Sequence, residues 1–211
     1  PMERKSTTKA RREREKLIRK RHILDCAEAV MEREGIFGLS MDAVAKEAEL
    51  AKGTLYLYFK NKEEIIAQLS TKARQFLLKA FHEATASQND PLQKLEALLW
   101  SVIRFKQQHP LYNELVSLFE GHRNHPEDGE LLQSSMNITA FVVSIVDQAK
   151  NQGHFRPDLN ATEFSYILWG ATIGILQLIE SRQQVITDHL QQDTEHLFAH
   201  YIQIILRGAQ K

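Results

Sequence analysis

Apolar residues recur every three or four positions along almost the whole chain, and no segment shows the alternation that marks a half-buried strand. Prolines, glycines and polar runs interrupt this pattern at intervals typical of turns between helices. The pattern predicts an all-α protein with about nine helices. Their expected ranges are 8–34 (or a start near 14), 41–48, 52–58, 62–86, 91–109, 111–120, 127–152, 161–182 and 194–208.

Capping residues and buried stripes can be assigned to several of these helices. Ser40 precedes the second helix as an N-cap, and Asn61 with Glu64 has the spacing of a capping box before the fourth. The uncharged stretch 164–179 is too short and too often interrupted by polar residues to span a membrane, so we expect it to be buried on several sides. The first helix is expected to bury Leu17, Ile18, Ile23, Ala27, Val30 and Met31, and the fourth Ile65, Ile66, Leu69, Ala73, Phe76, Leu77 and Ala80.

The charge of the chain is unevenly distributed, although its formal total is zero. Residues 1–22 contain ten basic and three acidic residues, a net charge of +7. Such a basic arm either is simply solvated or contacts the phosphate backbone or the minor groove of DNA. Because a charged helix rather than an apolar region follows it, we expect no secretory signal and a cytoplasmic protein.

The segment 41–58 contains two short predicted helices separated by a turn, the pattern of a helix-turn-helix. In such a unit the second helix lies in the major groove of DNA. Leu55 and Phe59 form its apolar inner face, so Tyr56 and Tyr58 point elsewhere and can offer hydroxyl groups to phosphates or base edges. Gly53 would let the backbone approach the groove. Further candidates for DNA contacts are Thr54, Lys52 and Lys62.

The run GIFGLSMDAVAKEAELAKGTLYLYFKNKEEI, residues 35–65, resembles the DNA-binding region of TetR-family transcriptional regulators. A pattern close to T-x-x-x-I-A-x-x-A-G-V-S-x-G-T-L-Y-x-Y-F-x-x-K-E-x-L recurs in that family. Two positions depart from it. Glu49 stands at the usual turn glycine and Ala51 at the usual capping serine, so we expect a less tight turn and no contact from Ala51. The resemblance implies DNA contacts from Ser40, Lys52, Gly53, Thr54, Tyr56, Tyr58 and Lys62.

The resemblance also implies two domains, a helix-turn-helix DNA-binding domain with its basic arm at residues 1–62 and a ligand-sensing and dimerisation domain at residues 63–211. A homodimer is expected because one helix-turn-helix reads only a few base pairs. The last two helices resemble the four-helix dimer interface of the family, although they could instead complete the core of a monomer. The candidate interface residues are Gly170, Gly174, Phe198, Tyr201, Ile202 and Ile205.

Aromatic residues in the middle helices are of the type that lines small-molecule pockets, although each could be ordinary core. The resemblance implies that an unknown small-molecule effector binds there and shifts the helix that begins at Lys62, releasing a palindromic operator. We therefore expect a ligand-responsive repressor without a cofactor. The candidate pocket residues are Phe76, Trp100, Tyr112, Phe119, Phe141, Tyr166 and Trp169.

The main alternative is a helical protein that binds a small molecule or a metal ion, or an enzyme, without specific DNA binding. The chain has no phosphate-binding loop, nucleophile elbow or metal-hydrolase motif, so we expect no enzyme. Cys26 has apolar neighbours and no base or second cysteine close in sequence, so we expect a packing residue. Two weak histidine sets could hold zinc, but we expect no metal; they are His189, Asp193, His196 and His200, and His122, His125, Glu127 and Asp128.

Overall fold

The computed structural model describes residues 2–121 and 129–210, without the side chains of residues 2–8 and 119–121. This part of the chain contains no strand, and Phe155 pairs with Gln210 in an isolated bridge. The all-α prediction is confirmed. A 3-10 turn at Ile36–Gly38 and a π-helical turn at Val185–His189 accompany the α-helices. These are α1 (Met2–Glu34), α2 (Met41–Glu47), α3 (Lys52–Leu55), α4 (Lys62–Thr85), α5 (Pro91–Gln108), α6 (Pro110–Gly121), α7 (Gly129–Asn151), α8 (Ala161–Ser181) and α9 (Thr194–Arg207).

The chain divides into two compact units. The first comprises Pro1–Ala73 and His109–Leu131, and therefore holds α1 to α3, the first half of α4, and α6. The second comprises Arg74–Gln108 and Leu132–Lys211, with α5, most of α7, α8 and α9. The functional boundary that we expect at residue 62 stays a prediction, because compactness by itself does not report function.

Helix α1 begins at Met2, earlier than predicted, and packs only along its second half. Ile23, Ala27, Val30 and Met31 are buried, as expected. The prediction was wrong for Leu17 and Ile18, whose side chains are 65% and 62% exposed. A spacing of five or six residues from Ile23 turns both of them away from the buried face of the helix.

Cys26 is buried in α1, in agreement with a packing role. The expectation that no base is close in sequence was wrong, since the Nε2 atom of His22 lies 3.8 Å from the Cys26 sulfur, one helical turn away. Burial is the largest cause that raises the pKa of the Cys26 thiol, and nearby carboxylates raise it further. The thiol therefore stays protonated and is a poor nucleophile at neutral pH.

The predicted Asn61 cap begins α4, but the reciprocal bond of the capping box goes to Lys60 instead of Asn61. The Asn61 side chain accepts a hydrogen bond from the Glu64 backbone N–H at 2.9 Å, and the Glu64 carboxylate accepts one from the Lys60 N–H at 2.8 Å. Among the predicted inner residues, Phe76 is exposed instead. The buried line follows positions four apart, from Ile65 through Leu69 and Ala73 to Leu77 and Phe81. Each step of four rotates this line by about 40°, so it has turned away from Phe76 at that height.

The core of the second unit is mainly aliphatic and contains several aromatic contacts. The ring centroids of Phe155 and Phe164 lie 5.4 Å apart, and those of Trp100 and Phe198 lie 5.3 Å apart, both in edge-on arrangements. The Thr172 hydroxyl on α8 is 2.7 Å from the Tyr201 hydroxyl on α9, which ties these two helices together. Edge-on aromatic pairs and a satisfied hydrogen bond fix the relative rotation of the helices.

Helix α8 is buried on one face, whereas the sequence predicts burial on several sides. The buried positions are Ala161, Phe164, Ser165, Leu168 and Thr172, all in its first twelve residues. Helix α8 has 21 residues and is therefore longer than the predicted apolar stretch. By length and apolar composition alone, both α7 and α8 could span a membrane. The neighbouring helix α9 has only 14 residues and contacts the buried face of α8 at Thr172 through Tyr201.

Candidate nucleic-acid interface

The turn between α2 and α3 is built by local hydrogen bonds. The Ser40 hydroxyl accepts a 3.2 Å hydrogen bond from the Ala43 N–H, which caps α2. At the other end, Leu50 N–H donates to the Ala45 carbonyl and Glu49 N–H to the Lys46 carbonyl, the two bonds of a Schellman motif. Glu49 adopts a φ of 53°, the left-handed conformation in which glycine is usual. The expectation of a looser turn was wrong, because Glu49 adopts the left-handed backbone conformation that glycine usually provides, despite its steric strain.

Helix α3 is shorter than predicted and is held down by two apolar residues. It ends at Leu55, and the chain then continues to Phe59 in tight turns, with Phe59 N–H donating to the Leu55 carbonyl. Leu55 and Phe59 are fully buried, as expected. The Nζ atom of Lys20 on α1 lies 5.3 Å from the centroid of the Phe59 ring, a cation–π contact across the unit. Ala51 at the N-cap forms no side-chain capping bond, as its sequence position indicated.

Of the residues predicted to contact DNA, Lys52, Gly53 and Thr54 lie in α3, and Tyr56 and Tyr58 lie in the turns that follow it; Ser40 caps α2 and Lys62 begins α4. Tyr56 is 46% exposed, and Tyr58 and Thr54 are partly exposed. A Cβ atom added at Gly53 would meet nothing within 4 Å. The packing of the described residues therefore does not require glycine at this position, and the predicted DNA contact at Gly53 stays a prediction.

The two lysines at the edges of α3 differ in their surroundings. Lys52 forms an exposed ion pair with Asp42 at 2.7 Å, and the hydrogen bond to this carboxylate is the largest cause that raises the pKa of Lys52. Lys62 is partly buried at the start of α4. A phosphate that contacts Lys52 must compete with Asp42. An exposed ion pair contributes little free energy in water, so replacing the Asp42 carboxylate by a phosphate at Lys52 costs little free energy.

The sequence reasoning missed Phe37 and Leu57, whose side chains are both highly exposed in the first unit. Leu57 lies two residues from each of the buried positions Leu55 and Phe59, so helical spacing could have placed it outside the core. An exposed apolar side chain beside a recognition helix can contact the methyl group of thymine.

The predicted pocket residues do not form one cluster. Tyr112 belongs to the first unit, where its hydroxyl bonds to Glu28, and the side chain of Phe119 lies outside the described part. In the second unit Trp100 packs on Phe198 and Phe141 on His82, Trp169 is partly buried, and Phe76 and Tyr166 are exposed. A cavity of about 350 Å³ lies between the start of α8 and the end of α9, lined by Phe164, Ile167, Ile204, Ile205 and neighbouring polar residues. None of the predicted pocket residues lines it.

The predicted dimer residues fall into two groups. Gly170 and Gly174 are exposed, and an added Cβ at either would meet nothing within 4 Å, so none of the described helices approaches them closely. Ile205 is partly exposed. The Tyr201 hydroxyl is hydrogen-bonded within the chain, to the Thr172 hydroxyl and the Leu168 carbonyl. The prediction was wrong for Phe198 and Ile202, which are buried in the core of their own chain. The exposed apolar residues of α8 and α9 are instead Tyr166, Ile167, Leu178 and Ile204.

The histidines of α9 are close together. The ring centroids of His196 and His200 lie 4.2 Å apart. Among the residues that the structure describes, no group of three or more histidine, cysteine, aspartate or glutamate side chains could hold a metal ion. The other histidine set, His122, His125, Glu127 and Asp128, lies outside these residues.

Comparison with known proteins identifies the first unit. Residues 23–69 match the family model of bacterial regulatory proteins of the tetR family. The HTH-type transcriptional regulator UidR of Escherichia coli (strain K12) is 28% identical over 159 residues, which cover 75% of this chain and 80% of UidR. The HTH-type transcriptional repressor KstR of Rhodococcus jostii (strain RHA1) is 31% identical over 99 residues, which cover 47% of this chain and 46% of KstR.

Among solved structures, the transcriptional regulator FadR from Bacillus subtilis in complex with stearoyl-CoA has the same fold, with a TM-score of 0.65 at 20% identity over 90% of this chain and 98% of FadR. The matched segment 23–69 begins in α1, spans α2 and α3, and ends in α4. It thus contains the capped α2, the Schellman turn and the outward face of α3. Residues 23–69 therefore form a helix-turn-helix of the tetR family, and this chain is a DNA-binding transcriptional regulator.

Proposed function

We propose that the protein is a cytoplasmic repressor that binds a palindromic operator as a homodimer and releases it when a small molecule binds. The observation that carries the DNA part of this proposal is the outer side of α3. There Tyr56 is exposed and Gly53 leaves an open surface, while Leu55 and Phe59 anchor the segment from below. Such a surface can enter the major groove without disturbing the core of the unit.

The homodimer is supported by the apolar surface on α8 and α9. Ile204 is 73% exposed, and Ile167 is also largely exposed. Gly170 and Gly174, one helical turn apart on α8, leave the backbone open to a neighbouring helix. Exposed apolar surface of this kind favours burial against a second copy. A two-fold axis between identical chains requires a site with the same symmetry, so the operator is expected to be palindromic.

Repression and effector binding are supported by the relatives. KstR is a repressor by name, and FadR was solved with stearoyl-CoA. The second unit of this chain has a half-open groove of about 350 Å³ whose apolar side includes Phe164 and Ile205, next to the surface proposed for the homodimer. A small molecule that binds one conformation of the protein better than another shifts the population toward that conformation. We propose that the effector stabilises a conformation in which DNA binding is weak.

The test is selection of bound duplexes from random DNA with the wild-type protein and two variants. We expect the wild type to enrich a palindrome, Tyr56→Ala to lose this enrichment, and Met136→Ala to retain it. Met136 is a matched control because it is similarly exposed but lies on α7. Enrichment of a single half-site would overturn the dimeric part of the proposal. Failure of folded wild-type protein to enrich any sequence would overturn the operator itself.

A further inference from the structure

The exposed first half of α1 has a regular arrangement of basic residues. Lys9, Arg12, Lys16 and Arg19 follow one another at spacings of three, four and three residues, and Ile23 follows Arg19 after four more. Residues at these spacings share one face of an α-helix. The four basic residues therefore continue, beyond the edge of the packed unit, the same face on which Ile23 is buried. We call these four residues the basic stripe.

The basic stripe carries four positive charges that are not held in ion pairs. All four side chains are exposed, and none of them forms an ion pair with a described residue. Glu13 and Glu15 flank the stripe, and Glu15 pairs with Arg11 at 2.8 Å rather than with a stripe residue. Positive charges three and four residues apart on a helix repel each other. An anionic partner along this face would remove that repulsion.

The direction in which the stripe faces follows from the neighbouring residue Lys20. Its Nζ atom lies 5.3 Å from the centroid of the Phe59 ring, just beyond α3. Phe59 is buried beneath the turns that follow the recognition helix. The side of α1 that bears the stripe is therefore the side against which the helix-turn-helix packs. The stripe therefore continues along α1, past the packed part of the unit, on the side that carries the helix-turn-helix.

We propose that the basic stripe binds the phosphate backbone of DNA next to the half-site read by α3. From residue 9 to residue 19 the helix rises about 15 Å, the axial length of roughly four base pairs. The contacts are to phosphates and therefore independent of base sequence, while α3 supplies the base contacts. This inference rests on the DNA-binding function and adds a second, electrostatic part to its interface.

The test compares two triple variants that remove equal charge from opposite faces of α1. The stripe variant is Arg12→Gln, Lys16→Gln, Arg19→Gln, and the control is Arg11→Gln, Arg14→Gln, Arg21→Gln. Each substitution that abolishes one phosphate interaction makes the slope of log K against log salt concentration shallower by about 0.9. We expect the slope to become shallower by about 2.7 for each bound chain of the stripe variant, and by less than about 1 for the control. Equal changes of slope in both variants, or no change in either, would overturn the stripe.

Two further measurements separate this inference from the proposed function. Shortening the duplex to the selected half-sites should make the wild type behave like the stripe variant, because the flanking phosphates are gone. If no operator exists, the same salt titration on a random duplex still tests the stripe, since phosphate contacts need no base sequence. Stripe-dependent binding to single-stranded RNA or to phosphatidylserine vesicles, with unchanged binding to duplex DNA, would assign the stripe to another polyanion and overturn the inference.

Discussion

The hydroxyl of Tyr112 on α6 donates a 2.6 Å hydrogen bond to Oε1 of Glu28 on α1. The second oxygen of the same carboxylate accepts a 2.6 Å hydrogen bond from Nζ of Lys72 on α4. Lys72 also lies 5.5 Å from the centroid of the Tyr112 ring. Three helices of the first unit thus meet at one partly buried carboxylate, whose charge is compensated by a cation and whose two oxygens are both bonded. α6 is connected in this way to the helix on which the helix-turn-helix packs.

Replacing Tyr112 with phenylalanine should destabilise the protein. The change removes a hydrogen bond to a charged group and keeps the ring, so we expect the free energy of unfolding to fall by about 1.5 kcal/mol. Tyr58→Phe is the control, because the Tyr58 hydroxyl lies on the outer side of the helix-turn-helix, and its effect should stay within about 0.5 kcal/mol. Urea unfolding measures both. Equal effects of the two variants would contradict a stabilising role for the Tyr112–Glu28 bond.

Stability should decrease at alkaline pH. Burial is the main cause that raises the pKa of Tyr112, and Glu28 raises it further; burial also raises the pKa of Tyr201. The folded state therefore holds these protons more tightly than the unfolded state. The resulting stabilisation is complete below the unfolded value of about 10 and is lost as pH rises through the folded pKa. Urea unfolding from pH 8 to pH 11 should show a weaker dependence on pH for Tyr112→Phe than for the wild type.

Replacing Glu49 with glycine should stabilise the turn between α2 and α3. Glu49 has a φ of 53°, which costs a non-glycine residue about 1 kcal/mol. We expect thermal or urea unfolding of Glu49→Gly to show a gain of up to about 1 kcal/mol. Glu49→Ala separates the backbone from the side chain, since alanine meets the same strain and should give no such gain. A similar gain from alanine would assign the effect to the loss of the carboxylate.

Replacing Gly53 with alanine should affect folding and DNA binding in opposite directions. The added methyl group meets nothing within 4 Å, and alanine favours a helix over glycine by about 0.5–1 kcal/mol, so the unfolding free energy should increase. If the backbone approaches DNA at this point, the methyl group separates the two surfaces. We expect the operator dissociation constant to rise at least about tenfold, a loss of about 1.4 kcal/mol. Unchanged affinity in fluorescence anisotropy would exclude the close approach.

Replacing Ile204 with glutamate should dissociate the proposed dimer and leave each chain folded. The side chain is exposed in the single chain, so the charge is costly only when a second copy buries it. We expect the dimer dissociation constant, measured by sedimentation, to rise at least about a hundredfold, or about 2.7 kcal/mol. Met136→Glu introduces the same charge at an exposed position of α7 and should leave the dimer intact.

Phe198→Ala tests whether Phe198 belongs to the core of its own chain and not to the proposed dimer interface. Because Phe198 is buried within its own chain, we expect this change to lower the free energy of unfolding by about 3–5 kcal/mol through the cavity it leaves. Dissociation of the dimer without any loss of chain stability would show that Phe198 contacts a partner after all. The measurement is urea unfolding beside sedimentation on the same samples.

Features that depend on neighbouring residues were predictable. Ser40 and Asn61 cap their helices as expected, because the hydrogen bonds of a cap join residues two to four apart. Leu55 and Phe59 are buried for the same reason, as their spacing alone puts them on one side of a short segment. The Schellman turn at Glu49 was misjudged, because the cost of left-handed backbone is small beside the hydrogen bonds that hold it.

Features that depend on distant partners were not predictable. Tyr112 has the sequence surroundings of a pocket residue, yet its hydroxyl finds Glu28, 84 residues earlier in the chain. Periodicity cannot report such a partner, because it describes one helix at a time. The exposure of Phe76 was not predictable for the same reason. Whether the buried line of α4 advances by three or by four residues depends on which helices pack along it.

By itself the sequence determined the helical class, the caps at Ser40 and Asn61, and the helix-turn-helix with its exposed Tyr56, because all of these follow from local hydrogen bonds and side-chain spacing. The tertiary structure alone decided which apolar residues of α9 face inward. Phe198 and Ile202 are buried in this chain, while Ile204 in the same helix is exposed. All three are apolar and lie within seven residues, so only the position of the neighbouring helices distinguishes a core residue from an exposed one.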